Sequence, residues 1–466
     1  MAGDRLADYG LLPATGVGVQ IDLTAVTRRA GDLLVDGYLC DHNCTITHRG
    51  RPTGGHYNCP AAFTRNRGAI AATIAPAEVL LAGIDHVVAA AHLEQERFVA
   101  EEFGGYATKF RLGDDVAAVL RRCMLAPTAE VALFGGSPEA HPAVLDVIGG
   151  LRAAGHAVHI TMTGRKVVRE PAFLEALAGS GVDVLALSLD DVDSAEELRR
   201  LLELDPDRLY AEWRRVPAVH GQRQKVYEAL YTARRLYELA SAGRPGLLLN
   251  IAVHAGNVST MDSLLATLAA AFPGVALNPF PIQAGFEQRH LTTNESYAES
   301  LHAFVRATIE AQHRRVRAEP ARWAPVPRMH YWLALRAALE VDPAEAVDRS
   351  AGWDTWRCFR SPGAGRYVQV AGSGRVVTRI GPAGGRVGCF WNDSLADDSV
   401  PAVWDAPVDR LVGYLRARPA LAAAAARPCA GCLFPRLVGD LVSLETGLDP
   451  ALHSRYLALR REHLGF

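Results

Sequence analysis

The chain reads as an α/β protein, a partial (β/α)6 TIM-like barrel followed by a small C-terminal α+β domain. Three observations predict this. From about residue 31 to residue 317, short apolar runs alternate with amphipathic stretches, the pattern of parallel strands joined by crossover helices. Polar residues recur where the apolar runs end, the edge at which barrel active sites assemble. Past Trp353 the alternation gives way to a Gly-rich stretch with short β-like runs. With 466 residues, 49% of them hydrophobic, the chain holds enough apolar material for one large domain and a smaller one. The reading divides it into an N-terminal extension (1–30), the barrel (31–320), a linker (321–352) and the C-terminal domain (353–466).

Each element follows from its pattern. A first strand is expected over Asp32 to Leu39, ending at Cys40, with a polar loop reaching Cys59. Helical spacing covers Pro76 to Phe103 and Asp114 to Met124; a second strand, Glu130 to Phe134, ends in Gly-Gly. Helix Ala143 to Ala154 leads to strand Ala157 to Thr163, and helix Pro171 to Ala178 to strand Val184 to Leu189. A polar, charged insertion spans Ser194 to Gln222. Helix Lys225 to Ser241 then precedes strand Leu247 to His254, and helix Met261 to Ala271 precedes strand Val275 to Pro279. A long helix runs from Glu295 to about Arg317, after which a Pro- and Arg-rich stretch, Glu319 to Arg328, marks a boundary. Tyr367 to Val370 and Arg375 to Ile380, separated by Gly-Ser-Gly, read as a hairpin.

Composition excludes several classes. A formal net charge of −2 gives no electrostatic footprint for nucleic acid or an anionic membrane surface. The most apolar window, Ala69 to Ala91, is interrupted by Pro76, Glu78, Asp85 and His86, so no spanning helix is expected. No charged and then apolar leader opens the chain, and a cytoplasmic location is expected. In a reducing compartment eight cysteines point to metal rather than to disulfides.

Seven of the eight cysteines fall into two groups. Cys40, Cys44 and Cys59 lie in a polar loop rich in Gly, Arg and Thr, where packing as small hydrophobes is a poor explanation. Three thiolates leave one iron of a [4Fe-4S] cluster without a protein ligand, open to a substrate or cofactor. Cys358, Cys389, Cys429 and Cys432 can saturate a cluster or a tetrahedral zinc. Cys123, in an amphipathic stretch, reads as a buried packing residue.

Four landmarks, in order over Asp32 to Gln283, resemble the radical S-adenosylmethionine (SAM) superfamily. Cys40-Asp-His-Asn-Cys44 keeps the first spacing of that family's three-cysteine motif; the second spacing departs from it, since fourteen residues separate Cys44 from Cys59. Tyr57 stands one place early for the aromatic residue that packs on adenine. Phe134-Gly135-Gly136-Ser137-Pro-Glu139 is similar to the family's Gly-Gly-Glu-Pro segment, with either Ser137 or Glu139 in the place of the residue that holds the methionine amino group. Ser188-Leu-Asp190 is similar to the segment that reaches the ribose, and Asn250 to Asn257, followed by Asn278 to Gln283, supplies polar groups at the next two strand ends. Past Trp353 the cysteine layout resembles the SPASM or twitch extensions of the superfamily, here with one auxiliary cluster.

The resemblance implies a catalytic, site-differentiated [4Fe-4S] cluster, an auxiliary [4Fe-4S] cluster and SAM. It implies a 5′-deoxyadenosyl radical that abstracts hydrogen from a peptide or small-molecule substrate, with an oxidative outcome such as a cross-link or dehydrogenation in natural-product biosynthesis. An electron donor such as ferredoxin or flavodoxin follows. The cofactor-binding set is Tyr57, Gly135, Gly136, Ser137, Glu139, Ser188, Asp190 and Asn257. Two other readings compete: a zinc-dependent barrel hydrolase using Cys, His48 and His56, and a metal-stabilised interaction scaffold. Arg214, Arg215, Arg223 and Lys225 offer either an acidic-group site or a solvated charged face.

Overall fold

The computed structural model describes residues 17–23, 25–30, 33–38, 45–48, 51–56, 72–101, 103–104, 114, 118, 121–122, 125–135, 137–192, 194–217, 221–240, 244–281, 297–318, 329–343, 369–370, 376–377 and 450–464. The main sheet begins with β1 (Val17–Asp22), whose Val19 and Ile21 are buried. The connection leaving its carboxyl end carries β2 (Ala25–Ala30), β3 (Leu33–Tyr38), β4 (Thr45–His48), β5 (Arg51–His56) and β6 (Ala72–Thr73). β2 pairs antiparallel with both β3 and β6, while β4 and β5 form a separate hairpin.

This corrects the sequence expectation at the amino end. The run Asp32 to Leu39 does hold a strand, Leu33–Tyr38, but its partner is antiparallel Ala25–Ala30. The first parallel strand is Val17–Asp22, which the sequence reading placed within the extension; it pairs in register with Ala129–Phe134. Local alternation reports that a segment is extended, whereas the choice of sheet depends on partners distant in sequence.

After β6, α1 (Ala77–Glu101) buries Leu80, Ile84, Val87 and Val88 along one helical stripe. β7 (Ala129–Phe134) leads to α2 (Val144–Ala153), which buries Val144, Val147, Ile148 and Leu151 at the same spacing. β8 (Ala157–Met162) is followed by the short α3 (Arg165–Arg169) and by α4 (Ala172–Gly179), then β9 (Val184–Ser188). The expected polar insertion is instead two helices, α5 (Ala195–Leu202) and α6 (Pro206–Arg215). Their starts are set by caps: Ser194 Oγ accepts from Glu197 N at 3.1 Å, and Asp205 Oδ1 accepts from Arg208 N at 2.8 Å. α7 (Gly221–Glu238), β10 (Gly246–Val253), α8 (Met261–Ala271) and β11 (Ala276–Pro281) complete the alternation. α9 (Tyr297–Ala318) and α10 (Met329–Val341) follow. β12 (Gln369–Val370) and β13 (Val376–Val377) make the antiparallel pair expected there, and α11 (Pro450–Leu464) ends the described chain.

The parallel sheet runs β1-β7-β8-β9-β10-β11, each neighbour parallel and in the order of the sequence. Right-handed crossovers between sequential parallel strands place their helices on one face. Burial agrees: Val131, Leu133, Val158, Ile160, Leu185, Leu187, Leu249 and Ile251 are each 0% exposed and join the helices in one core. Each such side chain contributes about 1.5–3 kcal/mol on burial, which outweighs the exposed ion pairs of α6 and α7, worth about 0–1 kcal/mol each. Of the alternate positions, Glu130, Ala132, His159, Thr161, Ser188 and Asn250 are half-buried, whereas Phe134, Ala186 and Ala252 are buried.

α11 docks on α10. Tyr456 and Leu459 are buried with Trp332, which meets Phe304 edge-on at 5.8 Å. Glu340 of α10 accepts from Arg336 Nε at 2.7 Å and from Arg455 Nε of α11, and Arg336 meets His463 at 2.9 Å.

Candidate functional site

The candidate site is the carboxyl edge of the parallel sheet, where loops from successive strands converge. After β7, Gly135 has φ 130°, a conformation that strains any residue with a Cβ. Ser137, buried, precedes a 3-10 turn over Pro138–Ala140. Glu139 on that turn is buried, and its Oε1 accepts from Thr163 N at 3.1 Å and Thr163 Oγ1 at 2.8 Å. Thus Glu139 fastens the loop after β7 to the loop after β8. His141, buried beside it, accepts from Ala143 N through Nδ1 at 3.2 Å, which places the ring proton on Nε2.

After β8, Gly164 has φ 90°, and a Cβ there would lie 2.4 Å from Thr232 Oγ1 and 2.8 Å from the Glu228 carbonyl oxygen of α7. That close approach lets Arg165 reach α7. Its Nε donates to Glu228 Oε1 at 2.8 Å and its Nη2 to Gln224 Oε1 at 2.6 Å. Trp213 Nε1 donates to the same Glu228 oxygen at 2.8 Å, and Gln224 Nε2 donates to the Val216 carbonyl at 2.9 Å. The network ties the loop after β8 to α6 and α7 through a buried, charge-assisted hub.

At the next three strands, Ser188, Asn250 and Asn278 stand side by side by register and share a face. Asn278 Nδ2 donates to Asn250 Oδ1 at 2.7 Å. Asp190 and Asp191 after β9 are buried. The Asp191 carbonyl accepts from Arg223 Nη1 at 3.1 Å, and Arg223 also pairs with Glu197. Arg223 therefore joins α5 to the loop after β9, while Arg214 and Arg215 are exposed. After β10, Asn257 accepts from His254 N at 2.9 Å, and its Nδ2 donates to the Ala252 carbonyl at 2.9 Å and the Val192 carbonyl at 3.3 Å. Both ends of that amide serve the backbone. His254 itself is buried, with Nδ1 accepting from Gly256 N at 3.1 Å.

Of the residues expected to bind a cofactor, Gly135, Ser137, Glu139, Ser188, Asp190 and Asn257 lie at this edge. Their roles divide. Ser188 is half-buried beside the asparagine pair, whereas Glu139 and Asn257 link loops. Tyr57 and Gly136 lie outside the described residues, as do Cys40, Cys44, Cys59, Cys123, Cys358, Cys389, Cys429 and Cys432. Among the described residues no three His, Cys, Asp or Glu side chains gather as a metal site requires, and no helix is long and apolar enough to cross a membrane. The hydroxyl of Ser188 and the amides of Asn250 and Asn278 can donate and accept hydrogen bonds, although one such bond joins the two amides to each other.

Sequence reading missed Thr163, Arg165 and Glu228. The signal for the first two was Met162-Thr-Gly-Arg165 at a strand end, where a glycine followed by a charged residue marks a close approach; Glu228, within an amphipathic helix, carries none. A scan against protein-family models finds no match for this chain, and a search of curated proteins finds none either.

Proposed function

We propose that this chain is a radical SAM enzyme that carries out an oxidative modification of a peptide or small metabolite. The observation that carries the reading is topological. The connection bearing Cys40, Cys44 and Cys59 leaves the carboxyl end of β1, in a sheet whose parallel strands follow sequence order. We read this sequence-ordered parallel winding as part of a (β/α)6 barrel, with the partly exposed face toward its lumen. The hairpin β4–β5 supports the same ligand set: Thr45, next in chain to Cys44, is opposite His56, three residues before Cys59.

In this reading a cluster held by Cys40, Cys44 and Cys59, with SAM, supplies a carbon-centred oxidant able to take hydrogen from an unactivated C–H bond. The chain's own part is orientation. Gly135 lets backbone approach the ligand, Ser188 offers a hydroxyl, and Glu139 with Thr163 holds two of the loops in fixed relation. Cys358, Cys389, Cys429 and Cys432 would hold the auxiliary cluster.

The test is anaerobic reconstitution with iron and sulfide, followed by metal analysis and an assay for 5′-deoxyadenosine and methionine. About eight irons per chain and reductant-dependent SAM cleavage are expected. Stoichiometric zinc without acid-labile sulfide would reject the reading.

A further inference from the structure

α1 buries Leu80, Ile84, Val87 and Val88, and its opposite face is exposed. On that face Val79, Ala82, His86, Ala89 and Leu93 recur three and four residues apart, the spacing of a seam that receives a second helix. Val79 and Leu93, at its ends, are each 45% exposed. The seam runs about 21 Å along the helix. Glu78, Asp85 and Glu96 are exposed along one flank of it, and between Glu78 and Glu96 the chain has no lysine or arginine. An apolar strip beside a row of carboxylates suits an amphipathic partner bearing cations.

Three observations choose the partner. A second copy of α1 offers no cation between Glu78 and Glu96 to meet the acidic flank. The β12–β13 pair brings the C-terminal part of the chain to this place, since β12 lies against both α1 and β1. About thirty positions beyond Val377 comes the stretch 408–418, bounded by Pro407 and Pro419. It lies outside the described residues, and its sequence carries the complement of the seam. Val408, Leu411, Val412 and Leu415 recur at helical spacing, Asp409 stands at the start, and Arg410, Arg416 and Arg418 supply the cations. Eleven residues make a helix of about 16 Å, which fits within the length of the seam. Tethered through the hairpin at α1, the stretch meets the seam at high effective concentration, which a separate partner does not.

We propose that the exposed seam of α1 is the docking surface for this chain's own residues 408–418, with their apolar stripe on the seam and their arginines toward Glu78, Asp85 and Glu96. Docking there anchors the C-terminal part of the chain to the main domain just before Pro419, ten positions ahead of Cys429. The interaction involves neither iron nor SAM, so it stands or falls apart from the radical SAM reading.

The test uses the full chain with the photo-cross-linking residue p-benzoylphenylalanine in place of Ala89, irradiated and mapped by peptide mass spectrometry. The cross-link should fall within residues 408–418 of the same chain, at the mass of a single copy. The triple variant Glu78→Arg, Asp85→Arg, Glu96→Arg should lower its yield about fivefold with the fold intact by circular dichroism. Adding Arg410→Glu, Arg416→Glu and Arg418→Glu should restore the yield. A cross-link to a second copy, to another protein or to a different stretch of this chain would overturn the proposal. So would the absence of any cross-link, or a yield indifferent to the charge reversals. The position of the cross-link is read with every charge in place, so it decides even where a charge variant folds poorly.

Discussion

Thr163 donates both its backbone N–H and its hydroxyl to one oxygen of Glu139, at 3.1 and 2.8 Å. Its hydroxyl oxygen also accepts from Arg165 N at 3.2 Å. One small side chain thus couples the turn after β7 to the turn after β8, and through Arg165 to the hub on α7. Hydrogen bonds of this kind contribute about 1 kcal/mol each, more where the acceptor is charged. Thr163→Val removes one of the two bonds to Glu139 and should lower stability by about that amount, measured by urea unfolding. Thr163→Ser should restore it. A valine variant as stable as wild type would show that the Glu139 contact is energetically idle.

Arg165 and Glu228 form a buried ion pair that also satisfies Trp213 and Gln224. Removing one member strands the other charge away from water, a loss of about 3–5 kcal/mol, whereas replacing both with apolar groups avoids that penalty. Glu228→Ala should therefore be far more damaging than the double variant Arg165→Met, Glu228→Leu. The double variant should retain a deficit of about 1–3 kcal/mol, from the Trp213 N–H left without its acceptor. Equal losses in the single and double variants would assign the damage to packing.

How far the sequence reveals this architecture depends on whether the determinants are local. Helix Met261–Ala271 is readable to the residue, because apolar positions recur at helical spacing and Phe272-Pro-Gly stops it. α5 was also encoded locally, by the Ser194-to-Glu197 cap, yet its charged composition masks it when only apolar runs are counted. The partner of Leu33–Tyr38 could not be read, since pairing with Ala25–Ala30 or with Ala129–Phe134 leaves the same local pattern. At the site, strand ends point to Ser188, Asn250 and Asn278. Asn257 is polar for a different reason, capping the chain after β10, and sequence cannot separate the two uses.

Two acid-sensitive regions should appear in stability as pH falls. Burial pushes His92 and His156 below their ordinary value of 6.5, Glu96 and Asp85 only partly opposing it. A histidine harder to protonate in the folded chain costs nothing above pH 6.5 and draws stability down as pH falls below it. For Glu340, burial acts to raise the carboxyl, but the hydrogen bonds from Arg455 and Arg336 outweigh it and hold the group at about 2, against an ordinary 4.5. Its contribution is complete above pH 4.5 and is lost as pH falls toward 2. Denaturation midpoints should decline below pH 6.5 and again below pH 4.5. Glu340→Gln should remove the second decline and loosen α11, seen as faster amide exchange there; an unchanged profile would dismiss this pairing as the cause.

The long gap between Cys44 and Cys59 is the departure from the radical SAM pattern that most needs a physical account. Fourteen intervening residues could span about 45 Å if extended, while three thiolates on one cluster must converge within a few ångströms. By sequence, the glycines of Thr53-Gly-Gly-His-Tyr suit a reversal that brings Cys59 back toward Cys44. The structure instead pairs His48 with Arg51, so the reversal lies between β4 and β5, and assigns Thr53, Gly54 and Gly55 to strand β5 opposite an irregular register between Thr45 and Thr47. The glycines absorb a bulge rather than make the turn. The hairpin still returns the chain, because Thr45 faces His56 across it. Cys123 belongs to the stretch between α1 and β7, some 64 positions beyond Cys59. Cys59→Ala should therefore lose about half of the reconstituted iron and all SAM cleavage, while Cys123→Ala keeps both. Lengthening the hairpin end by two residues at Arg49-Gly50 should be tolerated, since it leaves the Thr45 and His56 end in place. Iron retained in Cys59→Ala and lost in Cys123→Ala would move the third ligand to Cys123 and detach the hairpin from the site.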